Sequence, residues 1–439
     1  MEQLNVGNSD ANALAKRITE WFQSINSMAS STKLVPTNVT DVKKWYNPEL
    51  QNLREAFLLQ KSSGSDYKKA RNRYVSAIRK AKRKYIRTSV IKSKGGVWKI
   101  MNSRKPTDWN LITKSTSLPN EQALSEAFAT HFQDKVKKLK STPDAKEIFD
   151  QLRVKFQNCP LWDIGPCTAE DVAKAIDNLK PSTSSGPDSI PNRLLKELKF
   201  EALDAITFVF NRCISEGVFP DIWKSGKIIP TPKSGARNRI ENFRPVCLFS
   251  NMGKLLECVV RQQFVQHLER VFPDNIYGFR SGRGTQDAVG KVLDCVHQHR
   301  ANGKQVALLS MDASCAFDLI NHDVILNSLE IVGVGPLMCK FTESFLKGCT
   351  NFVQIGDSKS DEWSVETGPG QGRRNSPDYY NLATMSQPLF SFLSDFIGYA
   401  DDEVDVVHGD TQGECNAKLI LIVEARQVWY QKIGLALNI

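Results

Sequence analysis

A chain of 439 residues, 41% hydrophobic and 24% charged, is long enough to bury a sizeable core and to form two or three domains. No apolar run approaches the roughly 18 residues that span a bilayer, and the opening MEQLNVGNSDANALAKRITEW has neither a basic nor an apolar leader stretch, so neither a membrane partner nor secretion is expected. The net charge is +10, but Lys61 to Arg104 alone carries 15 Lys/Arg against one acid, Asp66; this local +14 leaves −4 for the rest.

Residues 1–60 read as a helical and linker region. SSTKLVPTNVTD is a polar, proline-containing linker, and KKWYNPELQNLREAFLLQK resumes a helical period after Pro48. In the basic segment, 61–105, Tyr67, Ala70, Tyr74, Ile78, Ala81 and Tyr85 recur at three- and four-residue steps. That is an apolar stripe on a helix whose other faces carry Lys and Arg. A field of that density with almost no acid to balance it favours a polyanion such as nucleic acid. Gly95-Gly96 breaks the helix, and LPNEQALSEAFATHFQDKVKKL gives a further helix within a connector, 106–165.

From residue 166 helix-length and strand-length patterns alternate to the end, which predicts an α/β (α+β) sheet domain over 166–439. Thr168 with Asp171 three residues on reads as a helix start. Ten cysteines stand singly, with no C-x-x-C pair, and read as small buried hydrophobes in a reducing compartment. His297 and His299 in CVHQHR are splayed onto different faces by a helix, so no metal site is expected there.

Two stretches carry chemistry. VALLSMD, Val306 to Asp312, is a continuous apolar run stopping at an acid, the pattern of a buried central strand; FIGYADDEVDVV reads as strand, turn, strand, with Asp401 and Asp402 at the turn. An Asp pair in a turn is by itself ordinary turn chemistry. If the strand that ends at Asp312 lies beside this hairpin, three acids converge, and their repulsion is offset if they bind divalent cations. Carboxylate oxygens suit Mg²⁺, and a pair of such ions about 4 Å apart can activate a hydroxyl and stabilise a leaving pyrophosphate.

The order of further strings extends this. SSGPDSIPNRLLKEL, WKSGKIIPTPKSG, NFRPVCLFSNMGKLLECVV, YGFRSGRGTQDAV, LSMDASCAFDLINHDVIL, GYADD and WYQKIGLALN together resemble the reverse transcriptase of a non-LTR (LINE-type) retrotransposon of the jockey-like groups, over Gly186 to Ile439. WYNPEL to VWKIMNS resembles the basic region upstream of that polymerase.

The resemblance implies right-hand polymerase fingers and palm with a mixed or antiparallel palm sheet, after an α-helical basic region, core motifs lying in 223–439. It implies Asp312, Asp401 and Asp402 as catalytic metal ligands for Mg²⁺, or Mn²⁺; Lys233 and Arg244 as triphosphate cations; Phe317 under the incoming sugar; and Gln371 against template or nucleotide. Arg280, Gly372 and Tyr399 would contact template and primer, and Asp318 and His322 would be structural.

The partners so implied are an RNA template, a DNA primer and dNTPs, in a ribonucleoprotein within the nucleus or cytoplasm. TGPGQGRRNSP departs from the family pattern at Gly370 and at Arg373-Arg374-Asn375, and Glu403 adds an acid beside the Asp pair. The chain ends at Asn438-Ile439, before the family's thumb, so a polymerase without a thumb and with weak processivity is expected. The rival readings are a non-catalytic nucleic-acid-binding remnant and an intron- or retron-type reverse transcriptase.

Overall fold

The computed structural model describes residues 9–29, 48–62, 67–92, 109–182, 184–233 and 238–438. Two compact units emerge, one of residues 30–108, the other of 1–29 together with 109–439. In the larger unit α1, Ala11–Ala29, buries Ala11, Leu14, Ile18 and Phe22 at helical spacing. The indole N–H of Trp223 donates to Thr19 at 3.0 Å, so this N-terminal helix belongs to the core.

The smaller unit pairs α2, Pro48–Ser62, with α3, Tyr67–Lys92. Tyr74 of the apolar stripe stacks on Phe57 at 6.3 Å and 13°, while Lys68, Lys69, Arg71, Arg73, Arg79 and Lys80 are exposed. The Gly95-Gly96 break lies outside the described residues.

In the larger unit α4, Glu121–Leu139, starts at Asn120, whose side chain accepts from the Ala123 amide. Its Leu124, Phe128 and Phe132 cover Ile228, Phe243 and Val353 of a sheet ordered β2-β1-β4-β5, with β6 beside β4. Those strands are β1 Ser225–Pro232, β2 Phe243–Leu248, β4 Cys349–Ile355, β5 Ser358–Lys359 and β6 Trp363–Val365. The sheet is mixed, since β1 and β4 run parallel and the other pairs antiparallel. NFVQIGDSKSDEWSVET reads as a hairpin turning at Gly356-Asp357, and β4 turns there into its return strand.

A second sheet, ordered β7-β8-β3-β9, is antiparallel throughout. It consists of β3 Gln305–Ser314, β7 Ser394–Tyr399, β8 Asp402–Gly409 and β9 Ala436–Leu437. Around it lie α5 Asn251–Val271, α6 Thr285–Ala301, α7 Ala316–Leu319, α8 Ser376–Thr384 and α9 Gln412–Ile433. α6 covers one face through Ala288 and Cys295 against Ile397 and Val406, and α9 covers the other through Ile422, Trp429 and Tyr430.

β3 differs from the buried run that VALLSMD suggests. It is central, but of its ten residues only Met311 and Ala313 are fully buried, Leu308 is 57% exposed, and Asp312 lies two residues before the strand ends. Buried apolar runs belong to parallel strands covered on both faces; in an antiparallel sheet only alternate residues need cover. Among the described residues no helix is long and apolar enough to cross a membrane, and all ten cysteines are free.

Candidate active site

The turn that carries the Asp pair is tight. Tyr399 faces Asp402 across β7 and β8, so Ala400 and Asp401 are its two central residues, and Ala400 takes φ +58, a left-handed angle that glycine usually fills. The loop before α6 braces the turn from behind. Tyr277 N–H donates to Gly398 O at 2.8 Å, Gly398 N–H to Asn275 O at 2.9 Å, and the Asn381 amide to Gly278 O at 2.9 Å. A Cβ on Gly278 would stand 2.3 Å from the Ala400 nitrogen, so only glycine fits there.

β3 lies against β8 in a register that sets Asp312 directly opposite Asp402. Facing residues of an antiparallel pair share a face and hold their Cβ atoms about 5 Å apart. Asp312 and Asp402 therefore project together, with Asp401 next to them in the turn. Burial, then the charges of Asp401 and Asp312, hold the Asp402 carboxyl above its ordinary pKa. Among the described residues no Lys or Arg ion-pairs with any of the three. Asn438, just after β9, donates its amide to Asp312 Oδ2 and its backbone N–H to Asp312 O, both at 2.9 Å, which fixes that carboxylate.

Glu403 sits elsewhere than its place in the sequence suggests. Side chains alternate across a strand, so it turns away from Asp402 into the core beneath the sheet, where it is 2% exposed. There it ion-pairs with the fully buried Arg426 of α9 and accepts from the Tyr430 hydroxyl at 2.9 Å. Asp405, on the same face, lies 3.7 Å from Arg426 and accepts from Ser394 at 2.6 Å.

The expected nucleotide-side residues lie on several elements. Phe317, on α7, stacks on Tyr380 of α8 at 4.8 Å and meets Phe279 edge-on at 5.7 Å. Lys233, just past β1, and Arg244, on β2 opposite Thr231, are exposed. Burial, then the charges of Lys135 and Arg244, lower the pKa of Lys233, so three cations share one neighbourhood. Lys135 comes from α4, which touches α7, and lies in the stretch that the sequence reads as a connector. Burial also pushes Asp318 up to about 6, against the pull of Lys135. His322 starts the helix His322–Ile331 and its ring bonds Gly368 O at 3.0 Å, a structural place.

Arg280 is 7% exposed and commits its guanidinium to Glu269 at 2.8 Å and to the carbonyls of Pro273 and Ile276. That geometry favours support of the Gly278 loop over direct template contact. Tyr399 is half-buried at the end of β7, and Gln371 and Gly372 form an exposed turn, Gly372 at φ +102 with its α-carbon face against Cys247 O.

Over residues 231–439 the chain matches the family described as reverse transcriptase (RNA-dependent DNA polymerase). That span is a reverse transcriptase domain. The chain is 24% identical over 326 residues to the RNA-directed DNA polymerase from mobile element jockey of Drosophila funebris, covering 72% of this chain and 35% of that one. It is 26% identical over 381 residues to the probable RNA-directed DNA polymerase from transposon X-element of Drosophila melanogaster, covering 83% and 39%. The chain thus spans little more than a third of the length of these relatives. Their names agree with the non-LTR, jockey-like resemblance.

In this reverse transcriptase domain the departures at 370–375 have a structural basis. Arg373 turns inward, 4% exposed, with its guanidinium 4.3 Å from the Phe249 ring centre and 4.4 Å from that of Phe345, and donates to Lys224 O at 3.1 Å. The carboxylate of Glu257, buried in α5, accepts from the amides of Arg374 and Asn375 at 2.5 and 3.1 Å. A buried cation in an aromatic box and a carboxylate under the backbone thus hold this loop.

Proposed function

We propose that the reverse transcriptase domain is an RNA-directed DNA polymerase that adds dNTPs to a DNA primer 3′-hydroxyl on an RNA template. The observation that carries this is the register of β3 on β8, which sets Asp312 beside the Asp401-Asp402 turn with no protein cation paired to them among the described residues. Oxygen donors that repel one another suit Mg²⁺ or Mn²⁺, and Asp312, Asp401 and Asp402 would hold it. When bound, such ions lower the pKa of the attacking hydroxyl and offset charge on the leaving pyrophosphate.

The β7-β8-β3-β9 sheet is the palm, and the β1–β2 sheet with α4 the fingers. Lys233, Arg244 and Lys135 orient the triphosphate by charge. Phe317, held by Tyr380 and Phe279, supports the sugar and excludes a ribose 2′-hydroxyl by bulk. Gln371, Gly372 and Tyr399 line the template–primer side, and the exposed cations of α3 bind nucleic-acid phosphates. Most of the rate enhancement then comes from positioning and charge complementarity.

Primer extension on an RNA template tests this. Expected is Mg²⁺- or Mn²⁺-dependent dNTP incorporation that vanishes in Asp401→Asn while salt-sensitive RNA binding persists. Incorporation undiminished in Asp401→Asn would overturn the assignment, and binding without any incorporation by the unaltered chain would favour the non-catalytic remnant.

A further inference from the structure

The far end of the same hairpin holds a second cluster. His299 lies in the last turn of α6, Asp395 is the second residue of β7, and His408 is the last but one of β8. His299 Nε2 lies 2.7 Å from Asp395 Oδ2, and the His299 and His408 rings stack at 3.7 Å and 16°. One ligand atom from each residue falls within 4.8 Å of the other two, and among the described residues no other trio of His, Cys, Asp or Glu is so close. The three catalytic acids stand more openly than this. Strand geometry puts His408, six residues along β8 from Asp402, about 20 Å from the acids.

We propose that His299, Asp395 and His408 form a binding site for a transition-metal dication of the zinc class, separate from the oxygen-only site at the hairpin tip. Two imidazoles and one carboxylate select Zn²⁺ over Mg²⁺, which takes oxygen ligands and holds its waters. The half-exposed position leaves the fourth tetrahedral place to water.

One feature favours a cation here. The two nearby lysines are locally balanced, Lys304 by Asp410 at 2.5 Å and Lys418 by Glu414 at 2.7 Å. Without the ion, stacking and the His299–Asp395 hydrogen bond hold the group together. Binding requires the two rings to splay about their Cβ–Cγ bonds until both nitrogens reach about 2 Å from one point. The bound ion would clip α6 to the base of the catalytic hairpin and stabilise the chain by mass action.

The test titrates the full chain with Zn²⁺, and with Co²⁺ as a spectroscopic stand-in, in excess Mg²⁺. Expected is one Zn²⁺ per chain with a rise in Tm and tetrahedral Co²⁺ absorption bands. Affinity should fall about tenfold or more in His408→Gln, His299→Gln and the surface change Asp395→Asn, and stay unchanged in Asp401→Asn. Zinc binding equal in the unaltered chain and in Asp395→Asn, binding lost in Asp401→Asn, or no binding in excess Mg²⁺ would each overturn the proposal. Circular dichroism establishes that each variant is folded; because Asp395 is at the surface, its variant remains informative if a histidine variant unfolds.

Discussion

Asp402 and Glu403 are consecutive acids on one strand, and the two faces of the sheet treat them in opposite ways. Above the sheet Asp402 stands with Asp312 and Asp401, without a paired cation among the described residues, its pKa held up by burial and by its acidic neighbours. Below it Glu403 and Asp405 are buried around Arg426, with Tyr430, Ser391 and Ser394 adding hydrogen bonds. One face leaves its negative charge to be neutralised by what binds there; the other sets one guanidinium against its two carboxylates. Exposed acids that repel one another signal a ligand, whereas buried acids with a guanidinium between them signal scaffold.

The sharpest way to break this contrast is to remove one charge from each face. Asp402→Asn is expected to lower dNTP incorporation by about a thousandfold or more, since the ion-held charge stabilisation is worth several kcal/mol. Its Tm should hold or rise slightly, because a repulsion is removed; primer extension with calorimetry checks both. Arg426→Leu should do the reverse in origin, lowering stability by about 3–5 kcal/mol by leaving two carboxylates buried without their partner. Denaturant unfolding measures it, and adding Glu403→Leu should recover a good part. A single-variant loss below about 1 kcal/mol would show the lower face to be no scaffold.

A smaller effect is expected at the brace. Gly278→Ala puts a methyl 2.3 Å from the Ala400 nitrogen, where only backbone can yield. Overpacking of this kind costs about 1–3 kcal/mol, and because the displaced group is the turn that bears Asp401, activity should fall by more than stability does. Equal losses in the two measurements would make Gly278 a packing residue alone.

What could be read ahead of the structure follows the range of the interactions. The Asp401-Asp402 turn, the Thr168–Asp171 capping box and the Gly356-Asp357 hairpin are set by residues a few positions apart, and the pattern of those residues is enough to find them. The pairing of Asp312 with the hairpin is long-range and came from the ordered resemblance. The sequence places Glu403 beside the expected metal ligands, because adjacency in a sequence does not show which face a strand residue takes. Its partner lies 23 residues on, in α9, where no local pattern points back to it. Lys135 and the His299, Asp395, His408 trio escaped for the same reason: each brings together side chains from separate elements at no characteristic spacing. The aromatic box that admits Arg373 was likewise invisible, since Phe249 and Phe345 join only in the fold.

Asp318 offers the mildest test of the contrast, because it is an acid of the scaffold that lacks a guanidinium. Its ordinary pKa of 3.8 is pushed up to about 6 by burial, only partly opposed by Lys135. A carboxyl with a folded pKa above its unfolded one favours the native state when protonated. Its contribution is therefore fully present below about 3.8 and is lost as the pH rises through about 6. At pH 7.5 the ionised group should cost about 1 kcal/mol after allowance for its partial exposure. Asp318→Asn should thus raise Tm at pH 7.5 relative to the unaltered chain and lose that advantage by about pH 3, where the carboxyl is protonated in both states. A constant difference across that range would mean that Lys135 already compensates Asp318 as Arg426 does Glu403, and the two acids would then belong to one class.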